Sequence, residues 1–313
     1  MENALKAGIS QRNGMIDAIR GIACVFVLMV HVTFPGEFGI YIKALARFAV
    51  PFFLMNSGWF ARMGDAAAEL SGAKRQLRKI LRMTLMVCVL HIIGNSLTSL
   101  VAGEGIYAWV LPHWKIETLI NFLLFNRSKI FSSVVYYFFM LIYVYLLFLL
   151  FLYAKKKGVR VHETVMKVLI PLLLAANLYI SEINSLTWYW AGNWLLTGIP
   201  FFFIGYFMRE WDETHKPAGK TLTLPLMAAG VVITLVEIPF GGDNVFLYGG
   251  TIITAVSLYH FAAHFTGRVP HALTHFGKTY SQKIDSLASL HIFVQRCKTA
   301  NCKKYHQCCN GIP

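Results

Sequence analysis

What most constrains this chain is a succession of apolar runs, each close to 20 residues long, separated by short polar connections. A helix rises about 1.5 Å per residue, so about 20 apolar residues cross a hydrocarbon core of about 30 Å. Eight runs suffice, at 15–34, 41–61, 80–101, 133–153, 164–181, 193–209, 222–240 and 245–265, and two weaker ones lie at 106–125 and after residue 270. The alternative use of 313 residues, two soluble domains, fails on charge: only 14% of the chain is Asp, Glu, Lys or Arg, against roughly 25% in soluble domains. The reading is an all-α, polytopic transmembrane helical bundle with eight clear spans and up to ten. The first run is expected to be retained, since it holds Asp17 and Arg20, offers no small-residue cleavage site and is followed at once by a second span.

Lys and Arg accumulate in short loops on the cytoplasmic side of a membrane. With the N-terminus inside, the inner segments hold 15 of them and the outer segments hold four, Lys43, Lys115, Arg127 and Lys129. That alternation predicts a multi-pass protein of a cell membrane, read as a bacterial plasma membrane, with a cytoplasmic N-terminus. It also accounts for the net charge of +14 without a nucleic-acid partner. Cys24 and Cys88 lie inside apolar runs, while Cys297, Cys302, Cys308 and Cys309 crowd the end in a spacing that fits no zinc pattern. No metal site is expected. Composition changes after Ser281, so residues 1–281 are read as one membrane-embedded domain and 282–313 as an atypical polar tail, a candidate for disorder.

An ionisable side chain inside a span costs about 2.5 to 3.5 kcal/mol on insertion scales, which makes each one a functional candidate. The first span carries Arg20 and His31, 11 residues apart and therefore on one helical face, separated by about 16 Å along the axis. Asp17, one turn from Arg20, is placed for an ion pair. The second span runs antiparallel, which puts Arg47 near the depth of His31 and Ser57 near that of Arg20. Pro51 can kink this span, and the trio Asn56, Ser57 and Gly58 is of a kind more often used for close helix packing than for binding. Arg75, Arg78, Lys79 and Arg82 follow i, i+3, i+4, i+7, a basic helical face suited to lipid headgroups or a phosphorylated ligand.

These residues resemble those of a known family. The opening IDAIRGIACVFVLMVH, with ten residues between Arg20 and His31, the run RFAVPFFLMNSGWF with its Phe-Phe-x-x-x-Ser-Gly pattern, and the basic LRKILR resemble the acyltransferase 3 family of integral membrane acyltransferases. GNWLLTGIPFFFIGYFMRE and HFGKTYS are similar to later family elements, so the resemblance covers residues 14 to 281. It implies transfer of an acyl group, acetyl or succinyl, from coenzyme A to a hydroxyl of a surface glycan or lipid-linked sugar, as in O-acetylation of cell-envelope polysaccharides. By the same resemblance His31 matches the essential histidine, Arg20 its partner arginine, Arg78, Lys79 and Arg82 the basic motif that holds the coenzyme, and Ser57 and Gly58 the Ser-Gly motif. A last span usually follows the Gly-Lys-x-Tyr-Ser element, and here the polar tail stands in its place.

Acyl transfer needs a base for the alcohol, donors for the oxyanion and a site for a polyanionic leaving group. The expected assignment is His31 as general base, Arg20 on the access path, Arg47 as acceptor-orienting or oxyanion group and Glu237 as partner of the histidine. Arg75, Arg78, Lys79, Arg82, Ser57 and Gly58 are expected to bind the coenzyme. Acyl-coenzyme A is a co-substrate, with no permanently bound cofactor; the other partners are the glycan or lipid-linked sugar and the bilayer. Two other classes fit the composition: a transporter or flippase of a glycan or lipid precursor, and a truncated inactive remnant.

Overall fold

The computed structural model describes residues 13–31, 34, 36–103, 105–113, 115–126, 135–158, 161–183, 191–217, 219–241 and 245–280; the expected tail at 282–313 lies outside them. Among the described residues every regular element is helical. In chain order they are α1 (Gly14–His31), α2 (Phe38–Ala46), α3 (Ala49–Ala61), α4 (Ala66–Val101), a 3-10 turn at Leu111–His113, α5 (Ile116–Phe125), α6 (Tyr136–Lys156) and α7 (Val161–Ile183). A π-turn at Trp194–Gly198 then leads into α8 (Ile199–Thr214), α9 (Lys220–Gly241), α10 (Gly249–Ala263) and α11 (His271–Tyr280).

Six segments are long and apolar enough to cross a membrane: α1, the α2–α3 pair taken as Phe38–Ala61, α4, α6, Glu163–Ser181 of α7, and α9. The expected runs at 193–209 and 245–265 form α8 and α10, of 16 and 15 residues. Both supply fully buried side chains, such as Phe202 and Tyr259, to the centre of the bundle. The weaker run at 106–125 yields α5, 10 residues and about 15 Å long, too short to span. The expected span at 80–101 is the second part of a longer helix. α4 starts at Ala66, where the Asp65 side chain accepts a hydrogen bond from Ala68 N at 2.8 Å, and runs 36 residues, about 54 Å.

Two prolines set the irregular points. Pro51 has no N–H to offer the carbonyl of Arg47, four residues earlier, and the second span breaks there into α2 and α3. Pro200 likewise leaves the Leu196 carbonyl without its helical donor. The buried Asn177 of α7 supplies one, its Nδ2 donating to the carbonyl oxygens of Leu196 at 2.9 Å and Ala191 at 3.1 Å. The π-turn before α8 is thereby satisfied from a neighbouring helix.

α3 is the central element, packed against α8, α1 and α10, while α4 packs on α6 and α9 on α10. Phe148 and Phe151 of α6 interleave with Phe202, Phe203 and Tyr206 of α8 in edge-to-face contacts at 5.0 to 6.0 Å. One end of this core is closed by ions. Glu69 of α4 is 1% exposed; its carboxylate accepts from Met63 N at 3.2 Å and from Tyr206 Oη at 3.0 Å, and lies 3.5 Å from Arg62 and 3.9 Å from Lys155. Arg62 continues to Glu213 at 3.1 Å and Lys155 to Glu163 at 3.3 Å. This basic end of the bundle also carries the first turns of α4.

Candidate active site

A succession of three adjoining cavities runs from the basic end into the bundle. The first is lined by Arg20, Asn56, Ser57, Phe60, Arg75, Gln76 and Tyr145, among others. The second shares Arg20, Asn56, Ser57 and Gln76 with it and adds Lys79, Phe53, Tyr137 and Phe138. The third shares Phe53, Tyr137 and Phe138 with the second and adds His31, Arg47, Val27, Val30 and Tyr136.

The passage follows one stripe of the broken second span. Ala46, Ala49, Val50, Phe53, Asn56, Ser57 and Phe60 all line it, a repeat of three and four residues that marks a single helical face. From Ala46 to Phe60 that face is about 21 Å long. α1 contributes Arg20 near the basic end and His31 at the far end, the two depths predicted from their spacing. Their α3-side companions are the predicted ones too: Arg20 shares its cavities with Ser57, and His31 shares its cavity with Arg47. Arg20 Nη1 lies 3.4 Å from Asp17 Oδ1. The Arg47 guanidinium, at the C-terminal cap of α2, sits 5.8 Å from the ring centre of Tyr248.

The basic face of α4 is divided. All four residues are exposed, but Arg75 and Lys79 line the cavities whereas Arg78 and Arg82 line none of these three. Arg78 Nε donates to the Lys74 carbonyl at 3.4 Å. Ser57 Oγ donates to the Phe53 carbonyl at 3.0 Å while remaining in the passage wall. Asn56 Oδ1 is buried there with no hydrogen-bond partner among the described residues.

Two expected site residues have other work. Gly58 faces α8 instead of the passage: a Cβ on it would overlap the Phe202 carbonyl and stand 3.0 Å from Tyr206 N. Gly205 of α8 is its counterpart against Met55, so this pair lets two backbones touch. Glu237, expected as the partner of His31, makes no bond to it among the described residues. Its two carboxylate oxygens accept from Gly249 N at 3.1 Å and Gly250 N at 3.0 Å, capping the N-terminus of α10, where free N–H groups and the helix dipole favour a negative charge.

Sequence reasoning missed Gln76, Tyr136, Tyr137 and Phe53 as lining residues. The adjacent tyrosines at the start of an otherwise apolar α6 were the available signal.

The chain was also compared with known proteins. The model of a family described as an acyltransferase domain matches residues 13–281. No curated protein and no solved structure matches the chain.

Proposed function

The chain belongs to the acyltransferase 3 family of membrane acyltransferases, and from that premise we propose that it transfers an acetyl or succinyl group from coenzyme A to a hydroxyl of a surface glycan or lipid-linked sugar, with His31 as general base. The observation that carries this reading is the row of three cavities, each sharing lining residues with the next, between a basic mouth and the half-buried His31. In the proposed orientation the basic end faces the cytoplasm of a bacterial cell and the N-terminus lies inside, in keeping with the loop charges.

The coenzyme phosphates meet Arg75 and Lys79 at the mouth, with Arg78 and Arg82, which line none of the three cavities, flanking them on α4. The pantetheine arm runs along the α3 stripe past Arg20. Its amides are the natural partners for Asn56, whose carboxamide oxygen has no other bond among the described residues. The thioester then reaches the far cavity, where His31 and Arg47 share one wall.

His31 takes the proton from the acceptor hydroxyl as that oxygen attacks the thioester carbonyl. The oxyanion of the tetrahedral intermediate is stabilised by the Arg47 guanidinium. The C–S bond breaks, and the imidazolium returns its proton to the departing thiolate. The cycle ends with an ester on the acceptor, a free thiol and neutral histidine.

The test uses purified full-length protein, radiolabelled acetyl-coenzyme A and a mixed glycan extract. Wild type incorporates label into the glycan, and His31→Ala incorporates none while inserting and eluting as wild type does. Transfer by His31→Ala at the wild-type rate removes the base assignment. No incorporation by the wild type returns the chain to transport or to an inactive remnant.

A further inference from the structure

At the basic end, outside the passage, three metal-ligating side chains converge from two helices. His260 and His264, at i and i+4, share a face at the end of α10, and Asp212 reaches them from the last turn of α8. One ligand atom from each lies within 4.8 Å of the other two.

The Asp212–His264 pair accounts for only part of this convergence. Asp212 Oδ2 is 2.9 Å from His264 Nε2, an ion pair when the ring is protonated. Both carboxylate oxygens, and His260 Nδ1, are shielded from solvent with no hydrogen-bond partner among the described residues. The Asp212 side chain is 12% exposed and its ion pair with His264 engages only Oδ2, which leaves Oδ1 and His260 Nδ1 buried at a cost. His264 Nδ1 stands 2.8 Å from the His260 carbonyl. A carbonyl only accepts, so Nδ1 holds a proton, and Nε2 faces Asp212 as a second donor in the imidazolium or as a lone pair in the neutral ring. In the neutral ring a cation shared by Nε2 and the carboxylate replaces a repulsive contact with two bonds. An imidazole fixed through its other nitrogen to a backbone carbonyl is also the usual support of a metal-bound histidine.

The surroundings hold the three groups in place. Asn13 Nδ2 donates to the carbonyls of Ala262 and Ala263, both at 2.9 Å, fixing the end of α10. The Trp59 ring packs edge-on against His264 with centroids 6.0 Å apart, and the Arg209 guanidinium lies over the Trp59 ring, 5.1 Å from its centre. Two imidazoles and one carboxylate suit a borderline transition metal and not the all-oxygen shells of calcium or magnesium. Tetrahedral bonds of about 2.0 to 2.2 Å put ligand atoms about 3.3 Å apart, within small side-chain rotations of the present spacing, and leave a fourth position for water.

We propose that Asp212, His260 and His264 bind one divalent transition-metal ion of the zinc class, which staples the basic end of α8 to that of α10. Both helices pack on α3, so the ion would clamp the wall opposite the passage. The proposal is independent of the acyltransferase reading.

The experiment takes full-length protein in detergent, strips it with a chelator, and titrates it with Zn²⁺ by calorimetry and with Co²⁺ by visible absorption. Wild type binds one Zn²⁺ and gives a tetrahedral Co²⁺ spectrum. Asp212→Asn and His264→Gln, each checked for unchanged helix content and elution volume, weaken Zn²⁺ binding at least tenfold, while His271→Gln binds as wild type. The full chain with Cys297, Cys302, Cys308 and Cys309 all replaced by serine keeps its one ion and its spectrum. Zinc raises the melting temperature of wild type and not that of Asp212→Asn. Absence of binding by the wild type overturns the proposal. So does binding that survives Asp212→Asn and His264→Gln, or that shows a thiolate-to-cobalt charge-transfer band and vanishes in the cysteine variant.

Discussion

Replacing Gly58 by alanine tests whether this glycine serves the coenzyme or the helix interface. A Cβ at position 58 would overlap the Phe202 carbonyl oxygen and lie 2.8 Å from its carbon, and one at Gly205 would lie 2.7 Å from both the carbonyl carbon and the Cα of Met55. Ordinary van der Waals separation is about 3.5 to 4.0 Å, so α3 and α8 must part by about 1 Å. The obstacles are backbone atoms, which no rotamer change moves aside. That places the penalty at the upper end of the range for overpacking, about 3 kcal/mol. Alanine returns about 1 kcal/mol of helix propensity. The net destabilisation is about 2 kcal/mol, or roughly 4 to 8 °C of melting temperature for a domain of this size. Gly205→Ala, which faces α3 and not the passage, is expected to lose the same amount. The double variant should lose less than the sum, because one separation relieves both contacts. Thermal unfolding in detergent reads all three. The reasoning is refuted if Gly58→Ala melts within about 1 °C of wild type and raises KM for acyl-coenzyme A, while Gly205→Ala is silent.

Glu69→Gln should destabilise by about 3 kcal/mol, read as a lower melting temperature, because it strips the buried carboxylate from Arg62 and Lys155 at once; an unchanged melting temperature shows that Glu213 and Glu163 suffice. Glu237→Gln keeps a capping acceptor but loses the charge at the start of α10, so it should cost about 1 kcal/mol of stability and leave kcat unchanged; a kcat loss beyond tenfold in a stably folded variant would restore Glu237 as the histidine's partner. Arg75→Gln with Lys79→Gln should raise KM for acetyl-coenzyme A at least tenfold, since charge-assisted bonds contribute about 1.5 to 3 kcal/mol each. The pair outside the cavities, Arg78→Gln with Arg82→Gln, should raise it less, and the opposite order would show that the phosphates ride on the outer face of α4.

The spans were legible because crossing a bilayer demands length and apolarity together, and both are written locally. The depth pairing of Arg20 with Ser57 and of His31 with Arg47 was legible for the same reason: antiparallel helices of fixed rise leave little freedom along the axis. Rotation about the axis was not. Arg75, Arg78, Lys79 and Arg82 share a broad face in a helical projection, yet only the first and third line the passage, because the direction of the bundle is set by α6, to which α4 is bound, and not by the charges. Glu237 was expected as the partner of the histidine from its depth; the bonds it makes go to amides of the next helix, 12 and 13 residues on, which depth does not announce. His260 and His264 had a visible i, i+4 spacing, but their third companion, Asp212, comes from another helix and no local pattern announces it.

The passage is a consequence of how α3 divides its surface. One side is consumed by backbone contact with α8 at Gly58 and Gly205 and by packing on α10, which leaves the stripe from Ala46 to Phe60 facing α1, α4 and α6. α4 cannot close onto that stripe, because its first turns are held by Glu69 to Arg62, Lys155 and Tyr206, and the rest of its length packs on α6. The opening is therefore braced at the basic end by ions and along α3 by touching backbones. The wall shared by the second and third cavities is Phe53 with Tyr137 and Phe138, all side chains. On the proposed acyl-transfer reading, rotation of these rings would let an acyl chain pass while the charges at either end keep their positions. Stability variants in the brace and size variants at Phe53 should consequently separate: Glu69→Gln lowers the melting temperature with little change in donor choice, whereas Phe53→Trp narrows the junction and slows succinyl transfer more than acetyl at an unchanged melting temperature. Equal slowing of both donors by Phe53→Trp would mean that the acyl group does not travel between the second and third cavities.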